Sequence, residues 1–177
     1  MSKRENRLVK NIKLRIASDM RGISSVQLII PMLFSLTCGI IVIFGNMNSA
    51  ICTVLIFPRF TPPLFFLTVF RLIVYALLGL AFGILMGGSM CERGTRLYRY
   101  SVTVVLLLVC EILWINLLYC VSSAALCFIC TLFMLLYTVY LLLLVRCRCF
   151  TFALILYLYI VVLILRAVFS LFLIGLN

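Results

Sequence analysis

The sequence predicts an all-α polytopic membrane protein, a five-transmembrane-helix bundle with its N-terminus in the cytoplasm and its C-terminus on the far side (N-in/C-out). Three observations lead there. Of the 177 residues, 67% are hydrophobic and only 11% are charged, with a mean hydropathy of +1.35. A soluble domain of that length has too little interior to hide so much apolar surface. Apolar runs of about 20 residues recur along the chain, each long enough to cross about 30 Å of hydrocarbon at about 1.5 Å per residue. The third observation is that the cations gather on one side of those runs. A β-barrel would instead need alternating segments of about 10 residues with polar lumen positions, and the sequence has none.

The chain divides into a basic segment, 1–25, and a membrane domain, 26–177. In the first, Leu8, Val9, Ile12 and Ile16 share one helical face, with Lys10, Lys13 and Arg15 largely elsewhere. Two readings are open: a cytoplasmic helix lying on the membrane surface, or a basic tail without regular structure. The expected spans are Val26–Asn46, Pro63–Gly88, Ser101–Val121, Ala124–Val145 and Phe150–Leu176. The third and fourth meet at Ser122-Ser123, a short uncharged turn; joined, they would be too long for one crossing, so they read as a helical hairpin.

Orientation follows from the cations between the spans. With the N-terminus inside, seven Lys and Arg of the N-terminal segment face the cytoplasm, joined by Arg93, Arg96, Arg99, Arg146 and Arg148. Arg59 alone lies on the outer side. So strong an asymmetry sets the topology by the positive-inside rule.

The net charge of +11 is therefore no nucleic-acid footprint: seven of the fifteen cations precede residue 25, and no basic stripe with interleaved aromatics follows. Contact with anionic membrane lipid is the expected use of such a cluster. Nine cysteines, an odd number lying chiefly inside spans, are not a secreted disulfide framework. With no His in the chain, imidazole ligation is excluded. The Arg146-Cys147-Arg148-Cys149 run could be lipidated or could bind metal, but two thiols without His or acid make a poor site. Cys127 and Cys130, one turn apart, read as small packing residues. The Met86-Gly87-Gly88 end of the second span reads as a helix stop rather than a dimer interface. With no nucleophile–base pair, phosphate loop or paired acids, the chain is not expected to be an enzyme, and no cofactor is implied.

Three charges lie inside spans: Arg71, Glu111 and Arg166. A charge at membrane depth costs about 2.5 kcal/mol or more and normally faces the bundle interior with a partner. Counted from the outer ends of their spans, all three fall about 12–15 Å deep, in a single layer. A buried salt bridge fixing helix packing, a ligand-lined cavity, and a proton or ion path would each account for them. Two cations against one anion leave a net positive charge, which suits an anionic ligand group.

A second constellation, Pro58-Arg59-Phe60-Thr61-Pro62-Pro63-Leu64-Phe65, opens the second span. Three prolines hold the backbone extended, and Pro63 suits the first turn of a helix. Phe60 and Phe65 are then candidates to cap the outer mouth of the bundle.

The pattern Pro58-x-Phe60-x-Pro62-Pro63-x-Phe65, followed by Tyr75 and Gly79, resembles the translocator-protein family (TspO/MBR, the tryptophan-rich sensory proteins), which carries Pro-x-Trp-x-Pro-Pro-x-Trp and then Leu-Tyr and Met-Gly at that spacing. Glu111-Ile112-Leu113-Trp114 sits where the family has Asn-x-x-Trp, and Leu118-Tyr119 where it has Phe-Phe. Tyr157-Leu158-Tyr159 is similar to its Tyr-Pro-Tyr. Five spans and a short hairpin between the third and fourth also agree. The departures are as specific. Phe60, Phe65, Arg71, Leu126 and Val162 replace family tryptophans, Trp114 is the single Trp, Glu111 replaces an Asn, and Arg166 a small residue. The sterol-recognition stretch is absent around Leu171–Gly175.

What the resemblance implies is a binding, transport or sensing protein for a hydrophobic ring-shaped ligand such as a porphyrin, held in an intramembrane cavity beneath the first loop. Its candidate ligand-binding residues are Phe60, Phe65, Arg71, Tyr75, Glu111, Trp114, Val162 and Arg166, without a metal. Sterol binding and tryptophan-dependent porphyrin breakdown do not fit the departures. A small ion- or proton-coupled transporter using Glu111, and a membrane scaffold that binds nothing, are the alternatives. Membrane lipid and a second copy of the chain are the further candidate partners, nucleic acid is not, and a bacterial inner membrane is the expected location.

Overall fold

The computed structural model describes residues 3–47, 64–87, 95–119, 121, 123–146 and 149–176, and all regular structure among them is helical. Six helices follow in order: α1 (Lys3–Asp19), α2 (Ser25–Met47), α3 (Leu64–Gly87), α4 (Thr95–Tyr119), α5 (Ala124–Val145) and α6 (Phe150–Leu176). The last five are each long and apolar enough to cross a membrane. Their outward faces carry large apolar side chains such as Phe34, Ile41 and Leu136, which are 66%, 71% and 71% exposed. Water would not tolerate such a surface and hydrocarbon does. The chain is an integral membrane protein.

Most of the basic segment is helical, as α1. α1 stops where Gly22, at φ 94°, turns the chain left-handed. A reciprocal cap then starts α2: Ser24 N donates to Gln27 Oε1 (3.0 Å) and Gln27 N donates to Ser24 Oγ (3.3 Å). The end of α1 meets the start of α6 here. The Asp19 carboxylate accepts from Thr151 N (2.8 Å) and Thr151 Oγ1 (3.0 Å), and so caps the first turn of α6 from α1. Arg15 lies 6.0 Å from the Phe150 ring beside it.

α2 and α3 pack most closely, because glycines let their backbones meet. A Cβ on Gly79 would lie 2.6 Å from Met32 Cα, and one on Gly83 would lie 2.8 Å from the Gln27 carbonyl oxygen. That carbonyl is the one whose helical donor is missing, since Pro31 four residues on has no N–H. Gly87 packs on Ile23 and Gln27, so it joins α3 to α2 as well as ending α3. In α2, Gly39 receives the Tyr75 ring, and Ser35 Oγ donates to the Tyr75 carbonyl at 2.7 Å.

Round the bundle the neighbours run α2, α3, α6, α5, α4 and back to α2, with α3 also touching α4 across the middle. The fourth and fifth expected spans match α5 and α6 residue for residue. Ser123 caps α5, accepting from Leu126 N at 3.4 Å. α4 departs from expectation: it starts at Thr95, six residues before Ser101, because helical hydrogen bonding continues through a polar turn that hydropathy does not register. Its apolar window begins at Tyr100.

Candidate functional site

α4 turns Leu107, Cys110, Glu111, Trp114, Ile115 and Leu118 inward, a stripe at three- and four-residue spacing that is buried throughout. Glu111 thus holds a core position and is 1% exposed. α6 presents Tyr159 and Arg166, two turns apart on one buried face, and each takes one carboxylate oxygen. Tyr159 donates its hydroxyl to Glu111 Oε1 at 2.6 Å, and Arg166 Nη1 reaches Oε2 at 2.6 Å. Glu111 is satisfied on both oxygens, the condition for a buried ion pair to hold against its desolvation cost.

Arg71 comes from α3 and is 7% exposed. Its guanidinium carbon lies 5.8 Å from the centre of the Trp114 ring, and that of Arg166 lies 4.5 Å from it. Both cations therefore address one indole, an attraction worth about 2 kcal/mol or more away from water. Arg71 is seven residues inside α3, Glu111 eight from the end of α4 and Arg166 ten from the end of α6, or about 10–15 Å from the helix ends. The three charges form one layer on three helices.

Of the other candidate residues, Tyr75 is 1% exposed and packs with Trp114, Ile115 and Leu173. Val162 is buried on the α6 face between Tyr159 and Arg166. Phe60, the Phe65 side chain and the proline-rich segment 58–63 lie outside the described residues. Cys127 and Cys130 pack on α4, their thiols 3.9 Å from the Trp114 and Cys110 carbonyls. Cys149 is buried, and burial followed by the nearby Asp19 carboxylate pushes its thiol up; a thiol kept neutral is a weak metal ligand. Cys147 and Arg148 lie outside the described residues.

Two participants escaped the sequence reading. Tyr159 could have been found from its seven-residue spacing to Arg166, and Ser170 from its four-residue spacing; both are fully buried. A cavity of about 310 Å³ lies between α2, α3 and α4, lined by Ile30, Phe34, Ser35, Leu78, Gly79 and Leu108 among others. It shares no residue with the candidate set.

Fold and layer together define a class: a five-span membrane protein with a paired carboxylate and a cationic excess buried between three of its spans. Comparison with family models, with curated proteins and with solved structures finds no match.

Proposed function

We propose that the chain is an N-in, C-out protein of the translocator-protein type that binds a hydrophobic, carboxylate-bearing ligand in the outer half of its bundle. A porphyrin-like ring is the leading ligand class, and carriage or sensing of that ligand is its use. A bacterial inner membrane is the proposed location. The observation that carries this reading is the makeup of the layer. Two guanidiniums and one carboxylate side chain are buried at one level, with a single indole beside both cations. A structural ion pair needs only Glu111 and Arg166. A second buried guanidinium, Arg71, supports a carboxylate-bearing ligand, since a guanidinium can grip a carboxylate through two parallel hydrogen bonds.

Titration with a dicarboxylate porphyrin, followed through Trp114 fluorescence, tests the proposal directly because Trp114 is the only Trp in the chain. Saturable quenching is expected, at least about tenfold weaker in Arg71→Leu, the loss that goes with one charge-assisted contact. Quenching that never saturates, or that ignores Arg71, would overturn it.

A further inference from the structure

Small side chains leave room where α2, α3 and α4 come together. Ser35, Gly79 and Val104 are buried there and line the cavity of about 310 Å³. Its rim is Ile30 and Phe34 of α2 and Val105 of α4, which are 61%, 66% and 47% exposed. The opening therefore lies between α2 and α4, on faces that two spans turn to hydrocarbon.

Among the described residues that line the cavity, Ser35 alone has a polar side chain, and its hydroxyl donates to the Tyr75 carbonyl at 2.7 Å. A trapped water needs about two to four polar partners, so water does not fill this space. Left empty, the walls forfeit their contacts on one side. An apolar cavity of about 150 Å³ already takes up a benzene-sized guest, and this one has about twice that volume.

The register of the helices fixes its depth. Gly79 packs on Pro31 and Met32, Gly83 on Gln27 and Gly87 on Ile23, so the end of α3 lies beside the start of α2. Ser101 Oγ lies 3.8 Å from Met86 Sδ, which brings the start of the apolar part of α4 to the same side. Pro31 is six residues past the start of α2, Gly79 eight before the end of α3, and Leu108 eight past Tyr100. The cavity is thus about 9–12 Å from those ends, and the hydrocarbon of one leaflet is about 15 Å deep. It opens at the level of acyl chains, clear of the headgroups.

We infer that this cavity is a lipid site, which holds one acyl chain of a phospholipid from the leaflet nearer α1. The chain enters between α2 and α4 and is selected by shape, while the headgroup stays at the membrane surface. Nothing in the cavity orients a polar ligand, and its opening faces a medium made of acyl chains. The site is separate from the ligand proposed for the charged layer and does not depend on it.

The test uses the full chain in nanodiscs, one chain per disc, with phosphatidylcholine that carries a diazirine midway along one acyl chain. After irradiation, label should concentrate on residues 30–35 and 104–108. It should exceed that on Leu136 and Leu143 of α5, which are 71% and 57% exposed, at least about fivefold. Val105→Trp puts a large ring at the opening and should lower the α2 label about fivefold, whereas Leu136→Trp should leave it unchanged. The labelling pattern of the unaltered chain decides the matter should Val105→Trp fail to fold. Phosphatidylglycerol with the same chains should label to the same extent, since no charged side chain lines the cavity. Label spread over α2, α4 and α5 in proportion to exposure, indifference to Val105→Trp, or a several-fold preference for phosphatidylglycerol overturns the inference. Loss of the label in discs that hold two chains would assign the opening to a second copy and overturn it as well.

Discussion

Glu111 meets Tyr159 on one oxygen and Arg166 on the other, with no water-facing surface to relax into. Replacing it with Gln keeps the shape and removes the charge that offsets Arg166. Breaking a buried pair from one side costs about 3–5 kcal/mol. Glu111→Gln should therefore lower the thermal midpoint sharply in detergent, and Arg166→Leu added to it should recover more than Arg71→Leu does. The reverse order of rescue would assign the pair to Arg71. The three charges were legible in the sequence because a charge inside an apolar run needs an explanation wherever it points. Tyr159 and Ser170 were not, since Tyr and Ser occur in spans for many reasons and only the helix face shared with Arg166 distinguishes them. Which arginine pairs with Glu111 was also hidden: depth brings all three to one level, and only the rotation of α3 and α6 chooses between them.

The α2–α3 pair depends on backbone approach. A methyl group on Gly79 would meet Met32 Cα at 2.6 Å and the Pro31 oxygen at 2.7 Å, neither of which can swing aside. Gly79→Ala should cost about 1–3 kcal/mol by overpacking. Gly45→Ala, which meets nothing within 4 Å, should be neutral or slightly stabilising through helix propensity. Thermal unfolding of the two variants side by side checks this, and equal midpoints would mean that the helices separate without cost. Spans could be read because apolar length is written along the chain. The role of Gly79 and Gly83 could not, because it depends on which helix lies opposite. The polar first turn of α4 escaped because hydropathy ends where charge begins, whereas the hydrogen-bond ladder does not.

At the level of the whole molecule, the number of spans was legible and the order of neighbours round the bundle was not. Side chains that face lipid and side chains that face a neighbouring helix are equally apolar. Orientation rests on the cation count. Labelling of single cysteines in a background cleared of accessible native thiols should find Arg59→Cys reactive from outside the cell, and positions 93–99 reactive only after permeabilisation. The reverse pattern would invert the bundle and place the charged layer in the opposite leaflet.

The Asp19 cap on α6 has a consequence for how the chain is made. Its partner Thr151 lies 132 residues further along, so the ribosome delivers one of the first helices long before the backbone amide it will hold. Throughout synthesis of the intervening spans, this contact of the N-terminal helix has no counterpart. It forms only when the start of α6 emerges, and α1 is then tied to α6.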